Sequence, residues 1–135
     1  MKLPKKDKDV LATLRLKKAG DALVEAKDNV SFGHWRLVVN RLYYACFYAA
    51  SALLVKKGIT AQTHVGVLNQ LGLHFVKEGL ISAEQNELYY KLFHLRQTGD
   101  YDDWVELQEK NVIHLIEPTK KFIDEITKMI KNEPT

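Results

Sequence analysis

Between Val38 and Val55 nearly every side chain is apolar: the stretch carries one formal charge, Arg41, with Asn40 and Ser51 as its other non-aromatic polar residues. A helix apolar on all sides is either buried by neighbours or lies in a bilayer. Burial is expected here, because an arginine sits near one end, tyrosines fall in the middle, and amphipathic partners flank the stretch. Before it, Ala12, Leu16, Ala19, Leu23, Ala26 and Val30 recur at spacings of four and three, opposite Lys17, Asp21, Glu25 and Asp28, which predicts an amphipathic first helix. Ser31-Phe32-Gly33 breaks it. The central helix should end at Lys56-Lys57-Gly58, with cations on the negative end of the dipole and glycine turning left-handed.

Thr63 to Lys77 places His64, Leu68, Leu71 and Phe75 on one face and predicts a third helix, capped by Thr60 or Thr63 and closed at Gly79. Ser82 to Gln85 has the form of a capping box, opening a fourth helix striped by Leu88, Leu92 and Leu95 and ending near Thr98-Gly99. A fifth helix is expected from about Asp102 or Asp103 to Lys131, kinked at Pro118. With no alternating strand pattern, the chain reads as all-α: an antiparallel four- or five-helix up-and-down bundle.

Length refines this picture little. One domain is expected over 1–135, with its core at about 9–131 and short polar tails of roughly eight and four residues. The formal charge of +3 is mild, and sixteen of the twenty basic residues are lysines, many near the ends, which is a weak nucleic-acid footprint. A single cysteine, Cys46, inside the most apolar run reads as a small buried hydrophobe in a reducing compartment. The lysine-rich start has no secretory hydrophobic region, so a cytoplasmic, non-membrane protein is expected.

Chemistry concentrates in a polar seam. On the central helix Arg41, Tyr44 and Tyr48 occupy one narrow sector, and on helix four Tyr89, Phe93 and Arg96 repeat that spacing beside Gly99-Asp100-Tyr101. Two aromatic-plus-arginine stripes are placed to face each other. The plainer reading is structural: Arg41 or Arg96 pairs with Asp100 and pins the bundle. The functional reading is a phosphate site, with arginine forks for a nucleotide backbone and tyrosine faces on which bases stack. His64, at the start of helix three, reads either as a hydrogen-bonded histidine lining the core or as a neutral acid/base or anion contact. The other histidines show no metal-ligand spacing, so no metal is expected. Glycine-rich phosphate loops, G-x-S-x-G and H-E-x-x-H are absent from the sequence, and no cofactor is expected.

Four blocks carry a resemblance: Arg41 to Phe47 (RLYYACF), Thr63 to Val67 (THVGV), Phe75 to Ser82 (FVKEGLIS) and Leu95 to Tyr101 (LRQTGDY). In this order they resemble the HEPN superfamily, in particular its small stand-alone bacterial and archaeal members, over about Ala12 to Ile126. The resemblance implies a helical homodimer in which two copies bring their helix-four arginines to a shared cleft. Many members are metal-independent endoribonucleases acting as toxins or in defence systems, and they frequently pair with a minimal nucleotidyltransferase antitoxin. The chain departs from the nuclease members in one respect. Those carry an arginine and then a histidine after four to six residues, whereas here Arg96 is followed at those positions by Tyr101, Asp102 and Asp103, and no other arginine fits.

Cleavage by internal attack needs a base for the 2′-hydroxyl, a cation for the phosphorane and an acid for the leaving oxygen. In an endoribonuclease with a non-standard site, Arg96 stabilises charge, His64 or Tyr101 moves the proton, and Arg41, Tyr44 and Asp100 hold the nucleotide. The reading placed first is a binding module: the same seam holds nucleotide or RNA and acts with a nucleotidyltransferase partner. Some relatives are adenylylated on a tyrosine near the arginine, and Tyr101 is the nearest counterpart, at a different offset. A purely structural helical dimer is the third reading.

Overall fold

The structure, a computed structural model, describes residues 3–101 and 106–132; for 99–101 it describes the helical backbone and not the side chains. Helices α1 (Lys5–Val30) and α2 (Trp35–Lys56) form a hairpin whose turn contains Gly33 at φ +68°. Ala12, Ala19, Ala22 and Ala26 on α1 and Ala45, Ala49, Ala50 and Ala52 on α2 are all buried. Side chains this small bring two helix backbones close together. Polar pairs cross the hairpin at Asp9–Lys56, Arg15–Ser51, Lys18–Tyr48 and Glu25–Arg41, and the residue numbers of each pair add to 65 or 66. The two helices are thus antiparallel and in one register along their whole length. Helix α1 begins at Lys5, so Lys5, Lys6 and Lys8 belong to it.

Helix α2 ends as expected. Gly58 adopts φ +72°, and the amides of Gly58 and Ile59 return to the carbonyls of Val55 and Leu54. This pairing closes the helix in a Schellman motif. Although α2 is long and apolar enough to cross a bilayer, two-thirds of its most apolar stretch is buried inside the fold by α1 and the helices that follow. It is the core helix of the bundle.

The third segment is not one regular helix. Helix α3 (His64–Leu71) gives way to a π-helical turn over Gly72–Val76, where the Lys77 amide reaches the Gly72 carbonyl, and Gly79 at φ +76° closes it. Leu68, Leu71 and Phe75 still reach the core. The capping box forms: the Gln85 amide donates to Ser82 Oγ at 3.1 Å, and the Ser82 amide donates to Gln85 Oε1 at 3.2 Å. Helix α4 (Ala83–Tyr101) runs past the expected stop at Thr98-Gly99.

The expected kinked fifth helix is instead divided. Helix α5 (Glu109–Val112), a 3₁₀ turn (Ile113–Leu115) and α6 (Ile116–Lys131) follow one another, while Asp102 and Asp103 lie outside the described residues. Pro118 is the third residue of α6, so its missing N–H falls among the unsatisfied donors of a helix start. Its ring would crowd the carbonyl four residues back, at His114, and that residue lies in the 3₁₀ turn. Proline therefore sets the start of α6 instead of bending a longer helix. Phe122, Ile126 and Ile130 of α6 join the same core as α2.

Candidate functional site

The N-terminal half of α2 presents consecutive aromatic residues, and helical geometry sends them to different places. Tyr43 points inward and is fully buried, whereas Tyr44 is half-buried. Tyr43 packs against Tyr89 and Phe93 of α4, with ring centroids 6.1 and 5.9 Å apart. Tyr89 and Phe93 therefore meet Tyr43, which lies outside the first stripe, and Tyr89 is core: it has no exposed surface, and its hydroxyl has no hydrogen-bond partner among the described residues.

Arg96 lies over both tyrosines, its guanidinium carbon 5.1 Å from the Tyr43 ring centre and 5.4 Å from that of Tyr44. Arg41 lies over the same Tyr44 ring at 5.1 Å. Two guanidinium groups are thereby gathered on one aromatic ring, each held by attraction to its π-electrons. Both cations thus lie against the ring that the sequence offers as a stacking face. The Arg41 fork is fixed further by Asn40 Oδ1, at 2.8 and 3.1 Å, and by Glu25 Oε1 at 3.3 Å. Asp100 was the acidic partner expected for either arginine, and its side chain lies outside the described residues. For Arg41 the hairpin supplies Glu25 instead.

His64 joins the site from α3. Its Nδ1 lies 2.6 Å from the Tyr43 hydroxyl, and its ring stacks on Phe47 with centroids 4.4 Å apart. The preceding residue, Thr63, caps α3 by accepting the Gly66 amide at 2.8 Å, which fixes the direction in which the helix presents His64. A Cβ on Gly66 would meet Thr63 Oγ1 at 2.8 Å, so glycine leaves room for this cap. Partial burial, followed by the positive charge of Arg96, lowers the His64 pKa. The imidazole is consequently neutral at physiological pH. Burial raises the Tyr43 pKa, with Arg96 opposing, so its phenol stays protonated.

Arg41, Tyr44, Arg96 and His64 thus converge, while the side chain of Tyr101, like that of Asp100, lies outside the described residues. Tyr43, Phe47, Glu25 and Asn40 are additions to the set read from the sequence. Glu25 was accessible in principle, since pairing the two helices about Gly33 places it opposite Arg41. The Tyr43–His64 contact spans 21 residues and two helices and had no local signal. Among the described residues no group of three or more metal-ligating side chains occurs.

Fold and site together define a class: an all-α bundle with a cationic, aromatic-lined seam between its second and fourth helices and a neutral histidine at its side. The HEPN domain family matches residues 12–130, and the chain belongs to that family. A UPF0332 protein of Thermotoga maritima is 39% identical over 86% of this chain and 88% of its own length. Two proteins of Methanocaldococcus jannaschii, each named "Putative toxin", are 35% and 28% identical, over 82% and 85% of this chain and 87% and 78% of theirs.

Proposed function

We propose that this chain binds the phosphates of single-stranded RNA or a nucleotide through Arg41 and Arg96, and that it works as a toxin-type module partnered by a minimal nucleotidyltransferase. The observation that carries the binding reading is the pair of guanidinium groups on one tyrosine ring. A phosphate beside that ring can accept charge-assisted hydrogen bonds from both guanidinium forks. His64 adds a neutral imidazole beside the same tyrosine ring. A second copy across the α4 face would double the cationic surface, in keeping with the homodimer expected from the family. The toxin setting draws support from the names of the two Methanocaldococcus jannaschii relatives.

Cleavage is a second reading, favoured by one feature. His64 lies close enough to Arg96 for the arginine to depress its pKa, so a proton-carrying group and a phosphorane-stabilising cation lie side by side although the Arg-x4-6-His spacing is missing. Tyr43 serves poorly as the base, because burial keeps it protonated. Its hydroxyl instead orients the imidazole.

Titrating the full-length chain with a fluorescent single-stranded RNA at two salt concentrations tests both readings. Binding that weakens with salt and vanishes in Arg96→Ala, with the RNA recovered intact, supports the first. Metal-independent cleavage abolished by Arg96→Ala and His64→Ala supports the second. The absence of salt-sensitive binding overturns both.

A further inference from the structure

Farther along the hairpin, a cleft of about 400 Å³ opens between α1, α2 and the residues preceding α3; Arg15, Lys18, Tyr48, Ser51, Gln62 and Thr63 supply its polar lining. A smaller cavity of about 170 Å³ adjoins it, sharing Arg15 and Ser51 and adding Lys8 and Thr60. Among the described residues, the linings of the two spaces taken together hold three cations and several hydroxyls and no carboxylate. Asp9, the acid on the same stretch of α1, is engaged elsewhere by Lys56 at 2.5 Å.

Arg15 is held differently from Arg41. Its Nη1 donates to the Ser51 hydroxyl, itself 5% exposed on α2, and among the described residues it has no carboxylate partner. A guanidinium carries five donors, so one bond to a neutral hydroxyl orients the fork without neutralising it. Lys18 is gathered beside it, its Nζ 5.6 Å from the Tyr48 ring centre. An oriented, half-buried guanidinium, a lysine and hydroxyls around an open cleft suit a phosphate oxyanion.

The cleft is contiguous with the seam. Phe47, which lines it, stacks on His64; Thr63, which also lines it, caps the helix that His64 begins; and the Tyr48 ring lies 5.8 Å from that of Tyr44. From Tyr44 to Ser51 is seven residues of α2, roughly 10 Å along the axis at the α-helical rise. That is about three steps of a stacked nucleic-acid strand.

We propose that the Arg15–Lys18–Ser51 cleft is a second phosphate subsite, which grips the phosphodiester backbone of a single-stranded RNA a few nucleotides away from the Arg41–Arg96 seam. This rests on the RNA-binding reading above and extends it. The subsite gives the chain a length requirement: a mononucleotide fills the seam alone, and an oligonucleotide reaches both positions.

The experiment is a length series of 5′-phosphorylated oligoadenylates of one, two, four and eight nucleotides, bound to the full-length chain and followed by anisotropy or calorimetry. Affinity should step up between two and four nucleotides. Arg15→Ala and, separately, the exposed Lys18→Gln should lower affinity for the octamer, by roughly tenfold for the arginine, and leave the mononucleotide unchanged. The logarithmic salt slope should fall by about 0.7 for each phosphate that the variant no longer neutralises. Lys18→Gln removes a solvent-facing charge and does not endanger folding. Arg15→Lys keeps the charge without the fork and should recover part of the affinity. A length step that survives both Arg15→Ala and Lys18→Gln overturns the subsite while leaving the seam reading intact. Inorganic pyrophosphate bound through Arg15, with octamer affinity unaltered by the variants, also overturns it, in favour of a free-phosphate site. Failure of the wild-type chain to bind any oligoadenylate overturns the seam reading and the subsite together.

Discussion

Along the α1–α2 hairpin, polar pairs from Asp9–Lys56 at one end to Glu25–Arg41 at the other keep a single register, so each cation's position follows from its distance to the turn. Across the groove, α3 and α4 have no such rule. A one-turn cap, a π-helical turn and a helix from a distant part of the chain deliver His64 and Arg96 to the same tyrosines. The hairpin is a ruler and the opposite wall an assembly. Changes in the hairpin should therefore cost stability broadly, whereas changes in the wall should alter the site locally.

The largest effect should come from emptying the hairpin core. Leu53 is fully buried on α2, and Leu53→Ala should destabilise the chain by about 2–5 kcal/mol in denaturant unfolding. A decrease well below that range would mean that the hairpin is not the stability centre. On the wall, Thr63→Ala deletes the cap of α3 and should cost about 1 kcal/mol. Its stronger signature should be a changed His64 titration by NMR, because the cap directs that helix start. If the His64 resonances do not move, the cap does not position the imidazole.

A matched pair of tyrosines sharpens the contrast. Tyr43→Phe removes the hydroxyl bonded to His64 and should cost about 1 kcal/mol. Tyr89→Phe removes a buried hydroxyl with no partner among the described residues and should be neutral or slightly stabilising in the same measurement. Equal costs would remove the distinction between a site tyrosine and a core tyrosine.

The smallest effect concerns pH. His64 has a lowered pKa in the folded chain, so as pH falls the unfolded chain takes up its proton first. The stability that depends on neutral His64 is complete above about pH 6.5 and declines as pH falls from there toward the folded-state value. His64→Gln should flatten this part of the stability profile. A wild-type profile that does not decline below about pH 6.5 relative to the variant would contradict a neutral, partly buried imidazole.

Much of this was legible in the residues themselves. The all-apolar run from Val38 to Val55 required burial, Gly58 and Gly79 required left-handed turns, and Ser82 with Gln85 required a capping box; all are local requirements of backbone geometry, solvation or hydrogen bonding. The Arg41–Tyr44 contact was legible too, since residues three apart on a helix share a face. The π turn after Leu71 and the divided last helix were not, because hydrophobic periodicity reports which face is apolar and hardly changes when one turn widens or tightens.

By itself the sequence determined the first two helices, their buried faces and, through the turn at Gly33, the register that sets Glu25 beside Arg41 and Ser51 beside Arg15. Only the tertiary structure decided that Arg96 rests on Tyr43 and Tyr44, that His64 bonds to Tyr43, and that Arg15 borders a cleft instead of a carboxylate. The reason is physical. Spacing along a helix dictates which side chains share a face, but which faces meet is chosen by the packing of the whole core, and a charge acquires its partner only when that choice has been made.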